Sequence, residues 1–243
     1  MLTTLLIKAV KPRGKIAFLA SLPSSAKIFD VGCGNNSAYR IKKRFPNLRY
    51  TGIDIEADDQ KKSQIPACEF IVSSPSNFAA DIEKLDSAFD AVISNHNIEH
   101  CNDRQKTILA MIKALKPGVG KIFLAFPSEI SETFPHRNGT LNYYDDPTHM
   151  GSPPNFQDTL NLLRAHGCSI LFRSGRYRPF IMRIIGAILE PVSRWQKKVY
   201  SFTWAYYGFE AVIIAKRDHP SSEKSYLRSV QSSGKRERED SQS

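Results

Sequence analysis

Short apolar runs alternate with stretches of helical periodicity from residue 27 to about residue 172. KIFDVG (27–32), RYTGIDI (49–55), CEFIVS (68–73), FDAVIS (89–94) and KIFLAF (121–126) are rich in Val, Ile and Phe. Most are bounded by Gly, Pro, Ser or Asn, so they predict five buried strands. Between them AYRIKKRF and DRQKTILAMIKALKPG predict helices. In the second, Ile108, Met111, Ile112 and Leu115 share one face, and Lys116-Pro117-Gly118 stops it. NFQDTLNLLRAHG repeats the pattern through Phe156, Leu160 and Leu163 and closes at Gly167. Strands alternating with helices predict an α/β fold on a parallel sheet, which the β-forming run GFEAVIIAKR (208–217) is able to close.

Two segments break this rhythm. Residues 128–153 are polar and full of turn formers, a length that suits a lid or substrate loop. Within residues 178–205, Ile181, Ile184, Ile188, Val192, Trp195 and Val199 recur at steps of three or four. That spacing predicts one amphipathic helix, or two joined at Pro191. The first 24 residues are mildly apolar but interrupted by Lys8, Lys11, Arg13 and Lys15, which predicts a short amphipathic helix and no signal peptide.

At 243 residues and 41% apolar content the chain can bury one sizeable core, here assigned to residues 25–218. Residues 219–243 are Ser-rich with few apolar side chains and are expected to be disordered. The four cysteines (Cys33, Cys68, Cys101, Cys168) form no C-x-x-C pair, which argues against a zinc site or a disulfide framework. A reducing cytosol suits them, and no metal is expected. The formal charge of +10 is concentrated: seven Lys/Arg face a single acid, Glu190, between Arg173 and Tyr200, whereas the tail carries five against four. A basic amphipathic stretch has three readings: a solvated cover on the sheet edge, a peripheral contact with anionic membrane, and nucleic-acid binding. No RNA-binding module accompanies it, so the third is the weakest.

The chemistry starts at FDVGCGNNSA (29–38). Gly32 and Gly34 follow a strand, but Ser37 stands where a dinucleotide loop wants its third glycine. Glycines there let a ligand approach the backbone with no side chain in the way. Asp54, twenty residues past Gly34 in GIDIE, is placed to accept hydrogen bonds from a ribose diol. Cys33 has no evident base beside it and is read as a small filler.

FDVGCGNNS, YTGIDIE, FDAVISNHNIEH and LKPGVGKIFLAFP, in this order and spacing, resemble the class I S-adenosylmethionine-dependent methyltransferases over residues 25–217. The resemblance implies a Rossmann-like seven-stranded sheet with its last strand antiparallel and helices on both faces. It implies S-adenosylmethionine as cofactor, with Asp30, Gly32 and Gly34 at its methionine part and Asp54 on the ribose hydroxyls. Ile55 would then pack on the adenine, and Asn95 and His96 would flank the sulfonium. The acid that often meets the adenine amino group is missing from FIVSSPSNF, which offers Ser73, Ser74 and Asn77 instead, with Ser74 taken as the cofactor contact. NYYDDPTHMGSPPNF resembles the DPTH element of methyltransferases from glycan pathways, without its usual continuation. His149 is therefore the expected proton acceptor, with Asp146 orienting it or acting instead, and His100 and His136 in reserve. The expected enzyme is cytoplasmic, peripheral at the membrane if the basic helix binds lipid. It O-methylates a small-molecule or lipid-linked glycan acceptor. The alternatives are an RNA methyltransferase, a nicotinamide oxidoreductase and a non-catalytic methyltransferase-like binding module.

Overall fold

The computed structural model of the protein describes residues 9–55, 68–200 and 202–219. Its helices are α1 (Lys15–Leu19), α2 (Ser37–Arg44), α3 (Phe78–Glu83), α4 (Arg104–Ala114), α5 (Phe156–Ala165), α6 (Phe180–Trp195) and α7 (Thr203–Tyr207). The strands are β1 (Lys27–Val31), β2 (Arg49–Asp54), β3 (Cys68–Val72), β4 (Ala91–Asn95), β5 (Lys121–Pro127), β6 (Cys168–Ser174) and β7 (Glu210–Arg217). The seven strands make one sheet in the order β3-β2-β1-β4-β5-β7-β6, with β7 antiparallel to both β5 and β6. Strand order reverses between β1 and β4, where an open α/β sheet offers a crevice at its strand ends.

The period-2 alternation of the strands divides two cores. Val92 packs with Phe29, Ile82, Met111 and Leu160 on one face, whereas its neighbours Ala91 and Ile93 join Phe18, Ile41, Tyr50 and Phe123 on the other. Helices accordingly cover both faces. The edge strand β6 escapes the apolar-run criterion. Only one side of it is covered, so Cys168 is buried while Ser169, Leu171 and Arg173 are exposed. The capped helix α4 begins as its sequence dictates, with the Asp103 side chain accepting from Lys106 N at 2.9 Å.

The segment 180–195 is one helix running through Pro191, but its polarity is reversed from the usual arrangement. The face turned inward is small or polar. A Cβ on Gly186 would meet Phe202 O at 2.4 Å, so the chain entering α7 lies directly against it. Ser193 is fully buried, and Glu190 takes both terminal nitrogens of buried Arg137 at 2.6 and 2.8 Å. The apolar stripe faces outward: Trp195 is 81% exposed, Ile188 71% and Phe180 67%, with Ile181, Ile184 and Val192 between them. The inward side of the helix rests on α7 and on the loop bearing Arg137. Apart from His219, the segment 219–243 lies outside the described residues, as do residues 1–8 of the expected N-terminal helix.

Candidate active site

A cleft of about 600 Å³ opens at the strand ends between β1, β2 and β4, within the range of roughly 300–1,000 Å³ typical of small-molecule sites. The Gly loop forms its floor. Gly32 has φ +71°, and a Cβ there would lie 2.2 Å from the Asn97 side chain, so only glycine fits. Gly32 N and Cys33 N both donate to Ile53 O, and Gly34 N donates to Asp54 Oδ2 at 2.7 Å. The loop is thus sewn to the end of β2, and it positions Asp54 with Ile55 on the cleft wall. A Cβ on Gly34 would meet nothing within 4 Å, so this stretch of backbone stands clear of neighbouring side chains. Helix α2 follows with no side-chain cap at Asn36, which leaves its first-turn N–H groups free of that competition and suited to a carboxylate. Burial, reinforced by the nearby charges of Asp30 and Asp54, pushes the Cys33 thiol up to about 12 and keeps it protonated.

The other expected residues divide. Asp30 does not line the cleft. It is buried, accepting from Ser37 Oγ and, at 3.0 Å, from Tyr50 OH, with Lys15 Nζ 3.7 Å away. It therefore ties β1 to α2 and β2. Ser74 lies on the exposed turn before α3, 3.0 Å from Ser76 Oγ, and its neighbours Pro75 and Ser76 reach the cleft instead. Asn95 ends β4 opposite Ala125, and the wall beyond it is made by His96 and Asn97.

His96 has φ +55°, a strained position for a residue with a Cβ, and its ring is clamped from both sides. Nδ1 lies 3.1 Å from Glu99 Oε1 and Nε2 3.2 Å from Glu210 Oε1, while Lys11 Nζ reaches Glu210 Oε2 at 2.5 Å. Trp204 and Phe209 flank the imidazole, with centroids 5.0 and 6.1 Å away. Burial opposes a charge on His96, but hydrogen bonds and attraction from Glu210 and Glu99 prevail and raise it to about 9. Burial likewise opposes the Glu210 carboxylate, which His96 and Lys11 nevertheless hold down at about 2. Glu210 is the one acid in the β7 run. Only that oddity hints at its role in the sequence.

The DPTH stretch folds over this wall. Asp146 Oδ1 accepts from Thr148 N at 2.9 Å and from Thr148 Oγ1 at 2.6 Å, and Thr148 Oγ1 lies 2.9 Å from His100 Nδ1. Thr148 and His100 line the cleft. His149 sits behind them, its side chain 4% exposed and its ring centroid 4.8 Å from that of His100. Burial holds His149 below the ordinary imidazole range, so it is neutral. Burial opposes ionisation of Asp146, yet the Thr148 hydrogen bonds keep its carboxyl below the usual value. His136 is away from the cleft, exposed and paired with Asp145 at 2.7 Å.

Strand order, the glycine loop after β1 and an acid at the end of β2 together give the architecture of the class I methyltransferases. The sequence pattern of the family described as "Methyltransferase domain" matches residues 8–171, and the chain belongs to that S-adenosylmethionine-dependent family. Among curated relatives, trans-aconitate 2-methyltransferase of Rhodopseudomonas palustris (strain BisB18) is 28% identical over 119 residues, 47% of this chain and 44% of its own. The tRNA (carboxymethyluridine(34)-5-O)-methyltransferase of Arabidopsis thaliana is 29% identical over 117 residues, 48% of this chain and 28% of its own. The chain thus spans less than half the length of these relatives. Among solved structures, a methyltransferase in complex with the Trm112 activator from Haloferax volcanii superposes with TM-score 0.60 at 15% identity, covering 89% of this chain and 94% of that one. An S-adenosylmethionine-dependent methyltransferase from Mesorhizobium loti gives 0.57 at 18%, covering 83% and 96%. At such identities the likeness is one of fold.

Proposed function

We propose that the protein methylates a hydroxyl oxygen of a small-molecule or lipid-linked glycan acceptor. The carrying observation is the stretch of cleft wall made by His100 and Thr148. There His100 gives its Nδ1 hydrogen to Thr148, and a hydroxyl-bearing acceptor meets an imidazole nitrogen rather than a donor. S-adenosylmethionine, when bound, supplies an electrophilic methyl group on a sulfonium. The chain's own work is alignment and exclusion of water, and alignment alone can contribute about 7–11 kcal/mol to such a displacement. Asp54 accepts from the ribose hydroxyls, and clamped His96 forms a fixed wall near the methyl-bearing end. Asp146 orders Thr148, which orders His100, so the expected pair Asp146 and His149 acts from behind the wall. Neutral imidazole is suited to receive a hydroxyl proton near pH 7.

The outward stripe of α6 supports an acceptor met at an anionic membrane. Arg183, Arg194, Lys197 and Lys198 are exposed alongside it, the pairing of apolar stripe and cationic flank that holds a helix in a lipid interface. No helix among the described residues is long and apolar enough to cross a membrane. Co-sedimentation is expected with vesicles containing anionic lipid and not with neutral ones, and Ile188→Glu with Trp195→Glu should cut it at least tenfold. Equal binding to both vesicle types would remove the membrane part of the proposal. Transfer of labelled methyl to a panel of sugars, phenols and bulk RNA tests the acceptor class. Incorporation into RNA alone would overturn the hydroxyl small-molecule assignment in favour of the RNA alternative.

A further inference from the structure

Behind the cleft wall, Glu99, His100 and His149 each bring one ligating atom to within 4.8 Å of the others. Nothing in the hydrogen-bond pattern explains why. Glu99 is fully buried; its Oε1 is used by His96, and its Oε2 has no hydrogen-bond partner among the described residues. A buried carboxylate oxygen without a partner is costly, and native structures rarely keep one. Both imidazoles are locked in the same tautomer. His149 Nδ1 lies 2.6 Å from the carbonyl of Tyr143, so Nδ1 carries the hydrogen and Nε2 the lone pair. His100 Nδ1 faces two acceptors, Thr148 O at 3.2 Å and Thr148 Oγ1 at 2.9 Å, the latter spending its own hydrogen on Asp146. In the neutral ring its lone pair likewise sits on Nε2. The cluster therefore holds acceptors and no donor, the pattern that a cation resolves.

We propose that Glu99, His100 and His149 bind a divalent first-row transition cation such as Zn²⁺ or Mn²⁺. Two imidazoles with one carboxylate favour these ions over Mg²⁺, which prefers oxygen ligands and retains its waters. The outer partners are those such sites need: each imidazole donates its other N–H to a fixed oxygen, and Asp146 stands behind Thr148. Small closing movements of the 3-10 turn ending at His100 and of the loop bearing His149 would bring the ligating atoms to bonding distance. His100 also lines the cleft, so the cation borders the space of the acceptor and would acidify a hydroxyl there. That consequence rests on the methyltransferase reading. In that case the hydroxyl proton goes to solvent, the oxygen forms its bond to the methyl carbon, and the carbon–sulfur bond breaks to leave the neutral thioether.

The test uses untagged full chain, stripped with chelator and dialysed, titrated with Co²⁺ and followed by visible absorption and calorimetry, with S-adenosylmethionine binding measured separately. One equivalent of Co²⁺ is expected, displaced by Zn²⁺ and not by Mg²⁺. Glu99→Gln and His149→Ala should weaken it at least 100-fold, and Asp146→Asn about tenfold. His100→Gln, on the more accessible ring, serves if either buried variant fails to fold by circular dichroism. Absence of Co²⁺ binding, or binding undiminished in the folded variants, overturns the proposal. Retained cofactor binding in that event would leave the methyltransferase reading intact and return His100 Nε2 to direct proton acceptance.

Discussion

Glu210→Gln will lower the stability of the fold by about 3–5 kcal/mol, the usual result of removing one partner from a buried ion pair. Glu210 is 8% exposed and sits between His96 and Lys11, so the neutral amide leaves both cations undercompensated at the centre of the site. Isosteric replacement keeps the packing and isolates the charge. Urea denaturation at pH 7 reads the loss as a fall in midpoint at constant slope. The pH dependence follows from the depressed carboxyl. Its folded value of about 2 lies below its ordinary 4.5, so the stabilisation is fully present above pH 4.5 and fades as pH falls toward 2. The gap between wild type and variant should therefore close on acidification. A gap below about 1 kcal/mol at pH 7, small beside the usual cost of breaking a buried pair, would mean that the cluster is held by packing of Trp204 and Phe209 on the ring instead.

The second large effect concerns the cofactor. Asp54→Ala should weaken S-adenosylmethionine binding by about 10- to 100-fold, since hydrogen bonds to a charged acceptor contribute roughly 1.5–3 kcal/mol each. Two causes add. On the proposed assignment the ribose hydroxyls lose their acceptor, and Gly34 N loses the carboxylate oxygen at 2.7 Å that fixes the loop. Calorimetric titration measures the affinity, while the melting temperature without ligand monitors the loop. Unchanged affinity would place the ribose elsewhere in the cleft. Asp30→Ala distinguishes the two acids: Asp30 is buried under the loop with Ser37, Tyr50 and Lys15, so its loss should act first on stability.

Arg137→Ala tests how α6 and α7 are held. Arg137 is 6% exposed and joins the loop before the DPTH stretch to Glu190 and Ser193 of α6 and Tyr207 of α7. Its loss strands the Glu190 carboxylate, and α6 should become protease-sensitive before the sheet unfolds. Simultaneous cleavage of both would show that α6 and the sheet are one cooperative unit.

Much of this was legible from spacing alone. Strand–helix alternation declared the parallel sheet, because a strand buried on both faces must be apolar throughout and a covering helix need only be so on one side. Gly32, Gly34 and Asp54 announced the cleft, because a bare backbone turn followed by an acid at the next strand end depends on local geometry that the chain itself encodes. Other features arise only between distant segments. His96 and Glu210 are 114 positions apart and meet because β7 inserts antiparallel beside β5. His100 and Thr148 are 48 apart and meet because the long loop returns over the wall.

Periodicity likewise identified the apolar stripe of α6 but not what it faces. Steps of three and four say which residues share a side of the helix, and nothing about where that side points. The small and polar side, Gly186, Glu190 and Ser193, wins the inward position because Phe202 approaches closely and Arg137 supplies a buried partner. The sequence by itself determined the sheet, the glycine loop and the amphipathic helix, all products of short-range pattern. Only the tertiary structure decided that Asp30 is buried, that His96 is clamped by two acids, and that Glu99 keeps an oxygen without a partner among the described residues beside two imidazoles. Those depend on which side chains the packed chain brings within a few ångströms, a quantity that no local pattern carries.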